Sequence, residues 1–240
     1  MNNKLTRLEW LVGEEKVAQL GSKSVALFGC GGVGSFALEA LIRSGVNRMT
    51  LVDGDDIDVT NMNRQLLATT GTLGMRKVDA AMIRCLQINH RIEVKRHDIY
   101  YTNHDYPFLF DSVKADYVID AADNVESKVD IVVQCAKRNI PVMSSLDTSN
   151  RLDPRCIRTG MLSEVKNSPV ATAMLEGIRK EGVEDVMVVY SAEEAITPDR
   201  NGDPSTSPGS SAFVPSIVGL TLAGIAVRQL MGLEDFSYAK

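Results

Sequence analysis

Four glycines after a short, mostly apolar run form the pattern in this chain that is best suited to binding a phosphate. Residues 24–28 make up the run, and Gly29, Gly31, Gly32 and Gly34 follow it directly. A short apolar run bounded by glycine predicts a buried strand, and the next segment predicts a helix. Backbone without side chains lets a phosphate approach closely, and a helix N-terminus supplies free N–H groups and partial positive charge. The pattern therefore predicts a nucleotide-binding loop.

Charged and amide residues after the second apolar run, residues 49–53, suit a triphosphate better than a dinucleotide. Asp53 ends that run, where a carboxylate binds ribose hydroxyls in dinucleotide-binding folds. A triphosphate also needs cations, amide donors and a carboxylate for magnesium. We therefore predict an ATP site in which Arg64, Lys77 and Asp123 act in catalysis. The complete set of predicted ATP ligands after the glycines is Asp53, Asp55, Asn61, Arg64, Gln65, Lys77, Asp123 and Asn124.

Several of these residues also have ordinary structural interpretations, which the sequence leaves open. Asp123 could be the N-cap of the helix that follows it. Arg64 and Gln65 could be surface residues. Lys77 is predicted near the start of a helix, where a positive charge is unfavourable for the helix dipole. That local misfit favours a phosphate as its partner.

Length and composition indicate one soluble α/β domain. The chain has 240 residues, enough for a sizeable core, and 44% hydrophobic with 24% charged residues is an ordinary globular balance. The net charge of -5 argues against a broadly basic nucleic-acid binder but leaves a local basic patch open. Scattered cysteines and the lack of a signal peptide predict a cytoplasmic protein. The most apolar late segment, residues 212–230, contains a proline and an arginine, which favours a packed helix over a membrane span.

Apolar periodicity along the rest of the chain predicts alternating strands and helices. We predict an α/β fold: a Rossmann-like, doubly wound, mainly parallel sheet with helices on both faces and a C-terminal extension. Residues 197–211 are rich in Pro, Gly, Ser and Asp and predict a mobile loop. Strands are predicted at 24–28, 49–53, 92–95, 117–120, 141–145 and 186–191, and helices at 4–20 with a break near Gly13, 35–44, 74–87, 125–138, 170–180 and 215–231.

The order and spacing of these motifs resemble the ubiquitin-activating-enzyme-like adenylation superfamily, which includes the sulfur-carrier adenylyltransferases. The resemblance covers about residues 4–150. It implies that a substrate carboxylate attacks the α-phosphate of ATP, with magnesium held through Asp123. It also implies a homodimer in which Arg7 reaches the nucleotide of the partner subunit, although Arg7 could be a solvated surface residue. Lys128 stands where relatives often have arginine, and its role is open.

Cysteine spacing separates this chain from many zinc-bearing relatives. Those relatives carry two C-x-x-C pairs, whereas Cys30, Cys85, Cys135 and Cys156 form none. We therefore predict no structural zinc.

The second half resembles one branch of the superfamily, the tRNA threonylcarbamoyladenosine dehydratases. The resembling segments are 160–163, 168–171, 188–194 and 208–215. The resemblance implies ATP-dependent cyclisation, with loss of water, of the threonylcarbamoyl group on the adenosine next to the anticodon. An intramolecular nucleophile needs no enzyme thioester, in agreement with a chain that has no obvious catalytic cysteine. We predict one adenylation domain over residues 1–240, with a nucleotide-binding core at about 1–150 and a substrate and dimer portion at about 151–240.

Basic residues in this second portion are candidates for a tRNA-binding surface. Arg151, Arg155 and Arg158 are the principal candidates, joined by Lys166, Arg179 and Lys180. Solvated helix and strand faces are the alternative interpretation. A monovalent cation near the site and a sulfur-transfer protein as partner are left open by the sequence.

Three rival functions have the same glycine loop. An adenylyltransferase for a ubiquitin-like sulfur carrier would have the same fold and ATP site. A nicotinamide-dependent oxidoreductase leaves Asn61, Arg64, Lys77 and Asp123 unexplained. A non-catalytic dimeric binding module would not require phosphate-binding groups that look intact.

Overall fold

Seven strands form one sheet within residues 3–199 and 207–233, the part of the chain that the computed structural model describes. The strands are β1 (Ser24–Phe28), β2 (Arg48–Val52), β3 (Glu93–His97), β4 (Tyr117–Asp120), β5 (Val142–Leu146), β6 (Ile157–Met161) and β7 (Met187–Ser191). Their order is β3-β2-β1-β4-β5-β7-β6, and neighbours are parallel except β6 with β7. The predicted mainly parallel sheet is confirmed.

The direction of strand addition reverses between β1 and β4. Strands β2 and β3 lie on one side of β1, and the next strands along the chain, β4 and β5, lie on its other side. Connections leave the carboxyl ends of β1 and β4 on opposite faces, which opens a crevice at that edge of the sheet. Open α/β sheets bind their ligands in such a crevice.

Helices cover both faces of the sheet, as predicted. Alternate residues of β1 enter opposite cores, because side chains of a strand point to opposite faces: Leu27 lies in one cluster and Phe28 in the other. The helices are α1 (Thr6–Val12), α2 (Glu14–Gly21), α3 (Gly34–Ser44), α4 (Lys77–Ile88), α5 (Leu109–Ser112), α6 (Val125–Lys137), α7 (Pro169–Lys180) and α8 (Val214–Leu230), with 3₁₀ turns at Val59–Asn61, Pro154–Cys156 and Leu162–Glu164.

The final helix, α8, is a buried core helix that packs on α3. Val218, Leu222 and Ala226 of α8 are fully buried. Gly219 makes the approach possible, because a Cβ atom at this residue would lie 2.2 Å from the carbonyl oxygen of Val33. The C-terminal part of the chain therefore supports the helix that follows the glycine loop.

Several predicted boundaries need correction. Helix α4 begins at Lys77 rather than Gly74, because Gly74 has a φ of +76° and residues 74–76 close the preceding loop. The pattern at 92–95 marks β3, which extends to His97. Strand β6 was not predicted, because an edge strand with Arg158 and Gly160 lacks a continuous apolar signal. The break in the first helix at Gly13 is confirmed.

The described residues contain no helix whose length and apolar character would allow it to cross a lipid bilayer. Of the loop predicted at 197–211, residues 200–206 lie outside the described residues, and the flanking described residues are neither helix nor strand. Strands β6 and β7, from the predicted substrate portion, join the same sheet as the nucleotide-binding strands. The division of the domain near residue 150 stays a prediction.

Candidate nucleotide-binding and active site

The glycine loop passes close to the chain that leaves β4, and two of its glycines are required by packing. A Cβ atom at Gly29, where φ is +88°, would lie 2.4 Å from the carbonyl oxygen of Ala121, and one at Gly34 would lie 1.8 Å from the carbonyl oxygen of Gly29. At Gly31, by contrast, the nearest atom would be Nε2 of Gln65, at 3.8 Å. The space beside Gly31 is therefore open toward the predicted ligands.

The N-terminus of α3 is free of side-chain caps. Its N-cap residue, Val33, cannot accept a hydrogen bond through its side chain. Orphan N–H groups at a helix start are satisfied by side chains, water or a ligand. This end of α3 can therefore receive an anionic group, as the glycine pattern predicts.

Asp53 lies just past the end of β2 and fixes the start of the glycine loop. Its two carboxylate oxygens accept hydrogen bonds from the backbone N–H of Cys30 at 2.6 Å and of Asp55 at 2.9 Å. Burial raises the pKa of Asp53 above its ordinary value, although the charge of Lys77 and the two N–H donors act against this increase. Asp53 thus shapes the loop, and its contact with a ribose stays a prediction.

Lys77 is a buried ammonium group at the first position of α4. Its Nζ atom lies 2.5 Å from Oδ2 of Asp55, and its backbone N–H donates to the carbonyl oxygen of Asp55 at 2.9 Å. Burial opposes ionisation of Asp55, but the hydrogen bond and charge of Lys77 hold the pKa of Asp55 below its ordinary value. The two predicted ligands are therefore a pair, in which Asp55 balances the charge of Lys77.

Asn61 and Gln65 lie in the ordered loop between β2 and α4. The Oδ1 atom of Asn61 accepts from the backbone N–H of Asp58 at 3.1 Å, so this side chain closes the Val59–Asn61 turn. Gln65 is only 6% exposed, and its Oε1 atom has no hydrogen-bond partner within the described residues. A buried polar atom without a partner costs about 1–3 kcal/mol. The Gln65 amide, beside the open space at Gly31, therefore suits a ligand that donates a hydrogen bond.

Arg64 lies beside Gly32 of the glycine loop. Its Nη1 atom donates to the carbonyl oxygen of Thr60 at 2.7 Å and to Oδ1 of Asn63 at 3.1 Å. Its Cγ atom would lie 3.6 Å from a Cβ atom at Gly32. Among the described residues, Nε and Nη2 of this guanidinium group have no partner, so they remain available to a phosphate.

The carboxyl end of β4 carries Asp123 and Asn124. The N-cap of α6 is Asn124, whose Oδ1 atom accepts from the backbone N–H of Glu126 at 2.7 Å, so the N-cap interpretation of Asp123 is wrong. Asp123 is exposed, and its carboxylate has no hydrogen-bond or ion-pair partner among the described residues. Since magnesium is often held by one carboxylate, substrate phosphates and water, the free Asp123 carboxylate fits that ion.

A buried polar cluster behind Asp123 was not predicted from the sequence. Lys128 of α6 places its Nζ atom 3.2 Å from Oδ2 of Asp120 and 3.3 Å from Oγ of Ser144. The Ser144 hydroxyl also donates to Oδ2 of Asp120. Asp120 is the last residue of the strand predicted at 117–120, and a carboxylate at the end of a buried strand is itself a signal that a cation lies nearby.

Arg7 lies on the exposed surface of α1, remote in sequence from the other ligands. Its guanidinium carbon is 5.9 Å from the centre of the Trp10 ring. Trp10 and Leu11 are both largely exposed large hydrophobic residues. A reach of Arg7 into a partner subunit stays a prediction.

The three principal tRNA candidates have different environments. The side chain of Arg151 is 12% exposed and donates to the carbonyl oxygens of Glu193 at 3.1 Å and Ser149 at 2.7 Å. The Arg155 side chain is 88% exposed and paired with Asp153 at 2.7 Å. Arg158 donates to the backbone of the neighbouring residues Arg155 and Ile157. The three therefore do not form one free cationic surface, since Arg151 holds the loop after β5.

The segment before α8 contacts the loop between β2 and α4. Asn63 donates through Nδ2 to the carbonyl oxygen of Ser210 at 2.9 Å. Asn150 exchanges two hydrogen bonds with Gly209, one at 2.7 Å from its backbone N–H and one at 2.6 Å to its Oδ1 atom. These contacts join three loops at the carboxyl edge of the sheet.

Among residues 3–199 and 207–233, no group of three or more His, Cys, Asp and Glu side chains is placed to hold a metal ion. The absence of structural zinc stays a prediction.

Comparison with known proteins supports the resemblance stated from the motifs. The ThiF family profile matches residues 4–240. The tRNA threonylcarbamoyladenosine dehydratase of Bacillus subtilis is 39% identical over 244 residues, which cover 96% of each chain. The crystal structure of Escherichia coli tRNA N6-threonylcarbamoyladenosine dehydratase in complex with AMP has a TM-score of 0.85 at 28% identity and covers 97% of this chain and 98% of that one. Its complex with ATP gives a TM-score of 0.86 at 28% identity, with 96% and 94% covered. The chain belongs to the ThiF family.

Proposed function

We propose that this protein is an ATP-dependent tRNA threonylcarbamoyladenosine dehydratase. The observation that carries the proposal is similarity over 96% of the chain, and therefore over most of residues 151–240, to an enzyme of that name. The similarity therefore extends beyond the nucleotide-binding core that all adenylating relatives share. The geometry of the site supports binding of ATP, because it offers anion-binding groups and a carboxylate that has no partner among the described residues at one edge of the sheet.

ATP would lie in the crevice with its phosphates toward the glycine loop and the N-terminus of α3. The nucleotide would donate a hydrogen bond to the buried amide oxygen of Gln65, which has no partner among the residues that the structure describes. Arg64 would supply the two guanidinium nitrogens that have no partner among the described residues. Lys77 would divide its charge between Asp55 and the phosphates.

The reaction that this site suits begins with activation of a carboxylate. An oxygen of the threonyl carboxylate attacks the α-phosphorus of ATP, the bond to the β-phosphate oxygen breaks, and pyrophosphate leaves. The carbamoyl group of the same substituent then attacks the acyl carbon, and AMP leaves with the former carboxylate oxygen. One proton passes to solvent, so that the nucleoside has lost the elements of water.

Arg64 and Lys77 would stabilise the negative charge that develops on the phosphates, which is commonly the largest contribution to such catalysis. Asp123 would hold the magnesium ion, which when bound would neutralise charge on the same phosphates. We assign no cysteine thiol to these steps. Burial, with the charge of Asp53 as a smaller cause, raises the pKa of Cys30 well above its ordinary value, so this thiol in the glycine loop is a poor nucleophile.

We further propose a homodimer, tRNA as the macromolecular substrate, and a cytoplasmic location. The exposed Trp10 and Leu11 beside Arg7 favour burial of α1 against another subunit. A dimer by sedimentation equilibrium, weakened by Trp10→Ser with Leu11→Ser, is the expected result. A monomeric wild-type protein at assay concentration would contradict the dimer.

Mass spectrometry of tRNA tests the proposed activity. Purified protein, ATP and magnesium are incubated with tRNA that carries threonylcarbamoyladenosine, and the nucleosides are then analysed. We expect a product lighter by one water, together with AMP and pyrophosphate in equal amounts. Intact nucleoside with pyrophosphate exchange stimulated by a ubiquitin-like carrier would instead support the sulfur-carrier adenylyltransferases.

A further inference from the structure

The buried cluster behind Asp123 joins β4, β5 and α6 at the carboxyl edge of the sheet. Asp120 and Ser144 are register partners on the two neighbouring strands, and both are fully buried. Lys128 is 3% exposed and lies within 3.3 Å of both side chains. The cluster thus consists of a carboxylate, an ammonium group and a hydroxyl group that bond mainly to one another.

Stability alone is a poor explanation for such a cluster. Burying two charges has a large desolvation penalty, and replacing a buried ion pair by apolar residues of similar volume is often neutral or stabilising. The ion pair can instead orient a neighbouring part of the chain. The second oxygen of Asp120, Oδ1, accepts from the backbone N–H of Ala122 at 3.0 Å.

That bond fixes the turn which carries Asp123. Ala121 donates its N–H to the carbonyl oxygen of Phe28 at 2.8 Å, and its own carbonyl oxygen lies in the space that a side chain at Gly29 would need. The turn at 120–123 is therefore in contact with the glycine loop. A small rotation of the Asp120 carboxylate would shift the backbone immediately before Asp123 relative to the phosphate site.

We propose that Lys128 is a positioning residue for adenylation. Through Asp120 it holds the turn at 120–123, and so sets the distance between the Asp123 carboxylate and the glycine loop. This inference depends on the proposed function, in which Asp123 binds magnesium with ATP. Outer residues that orient a metal-binding carboxylate are worth on the order of 10–100-fold in metal affinity or activity.

Calorimetric titration with ATP, in magnesium and in EDTA, tests the proposal without turnover. For Lys128→Met we expect on the order of tenfold weaker ATP binding in magnesium and little change in EDTA, because only the magnesium complex uses Asp123. Lys128→Arg keeps the charge and should restore most of the magnesium-dependent affinity. A purely structural role would lower the melting temperature and leave the ratio of the two affinities unchanged.

Two further variants serve as an alternative and as a control. Lys128→Met leaves the Asp120 carboxylate without a cation, so Ser144→Ala, which keeps both charges, serves if the first variant does not fold. We expect a smaller loss in the same direction. Ser127→Ala is the matched control on α6, since its hydroxyl donates to the carbonyl oxygen of Tyr101 at 2.6 Å, away from Asp120.

The outcomes separate this inference from the proposed function. Folded Lys128 and Ser144 variants with wild-type affinity in magnesium would overturn the positioning role, as would equal losses in magnesium and in EDTA. A wild-type protein that binds ATP but does not dehydrate the tRNA would overturn the proposed function. The calorimetric comparison would then still decide whether Lys128 acts through Asp120.

Discussion

The glycine-loop region and the region after β5 both carry charged residues predicted to bind a substrate, but these residues differ in the partners that the fold gives them. Around the glycine loop, the Asp123 carboxylate has no partner among the described residues, and Lys77 pairs with another predicted ligand. After β5, Arg151 is half-buried and donates to backbone carbonyl oxygens, and Arg155 pairs with Asp153. A sequence motif with fixed spacing therefore identified available groups, whereas a local excess of arginine did not.

The largest effect that this contrast predicts is on catalysis. Asp123→Ala and Arg64→Ala should each reduce dehydration of tRNA by on the order of 100-fold or more, because each removes a group that acts on the transition-state charge. Arg155→Ala should reduce it only slightly. Initial rates under saturating ATP measure the difference, and unchanged melting temperatures verify that the fold is retained. Near-normal turnover by either of the first two variants would mean that the site is misassigned.

Substitutions at two glycines of the loop should distinguish an effect on packing from an effect on ligand binding. Gly34→Ala should destabilise the protein by about 3 kcal/mol or more, because its Cβ atom would lie 1.8 Å from the Gly29 carbonyl oxygen. Gly31→Ala should fold normally, since its Cβ atom would have its nearest neighbour at 3.8 Å, but should bind ATP more weakly. Urea unfolding and calorimetry measure the two properties. Comparable losses of stability in both variants would contradict this separation.

Among the arginines after β5, we likewise expect one to affect stability and the other two to affect only tRNA binding. Arg151→Ala should lower the free energy of unfolding by about 1–3 kcal/mol, because carbonyl oxygens would lose their donors. Arg155→Ala and Arg158→Ala should leave the free energy of unfolding unchanged. If Arg155 or Arg158 contacts a phosphate of the tRNA, its replacement should lower the salt slope of tRNA binding by about one. Filter binding at several salt concentrations gives the slope. An unaltered slope in the double variant would remove both residues from the tRNA surface.

The smallest effect concerns the pair of Lys77 and Asp55. The pKa of Asp55 in the folded protein lies below its ordinary value of 3.8. The ionised carboxylate therefore stabilises the folded state at pH values above 3.8, and this contribution is lost as the pH falls through the folded-state pKa. The difference in unfolding free energy between wild type and Lys77→Met should therefore be largest near neutral pH and shrink as the pH falls toward and below 3.8, because Lys77 also opposes the increase in the pKa of buried Asp53. Urea unfolding on both sides of that pH measures it. A difference that grows on acidification would contradict the pairing.

Much of the fold was accessible from the sequence, because local patterns act over short distances. The buried strands β1, β2 and β4 are apolar runs, and the end of α3 at Gly45 follows from a left-handed φ of 108° that glycine adopts readily. Strand β6 was not predicted, because its pairing with β7, rather than the pattern of its own residues, makes it a strand.

For the site, the sequence determined which residue types follow the glycine loop and at what spacing, since backbone approach, charge and amide chemistry are properties of the residues themselves. Only the tertiary structure decided which of those groups are available. Within the described part of the chain, it assigned the N-cap to Asn124 and left the Asp123 carboxylate without a partner. It also placed Arg151, half-buried, against backbone carbonyl oxygens and brought Lys128 to Asp120. The physical reason is that partners for a charge come from whatever strand, helix or loop packs beside it, and those neighbours are distant along the chain.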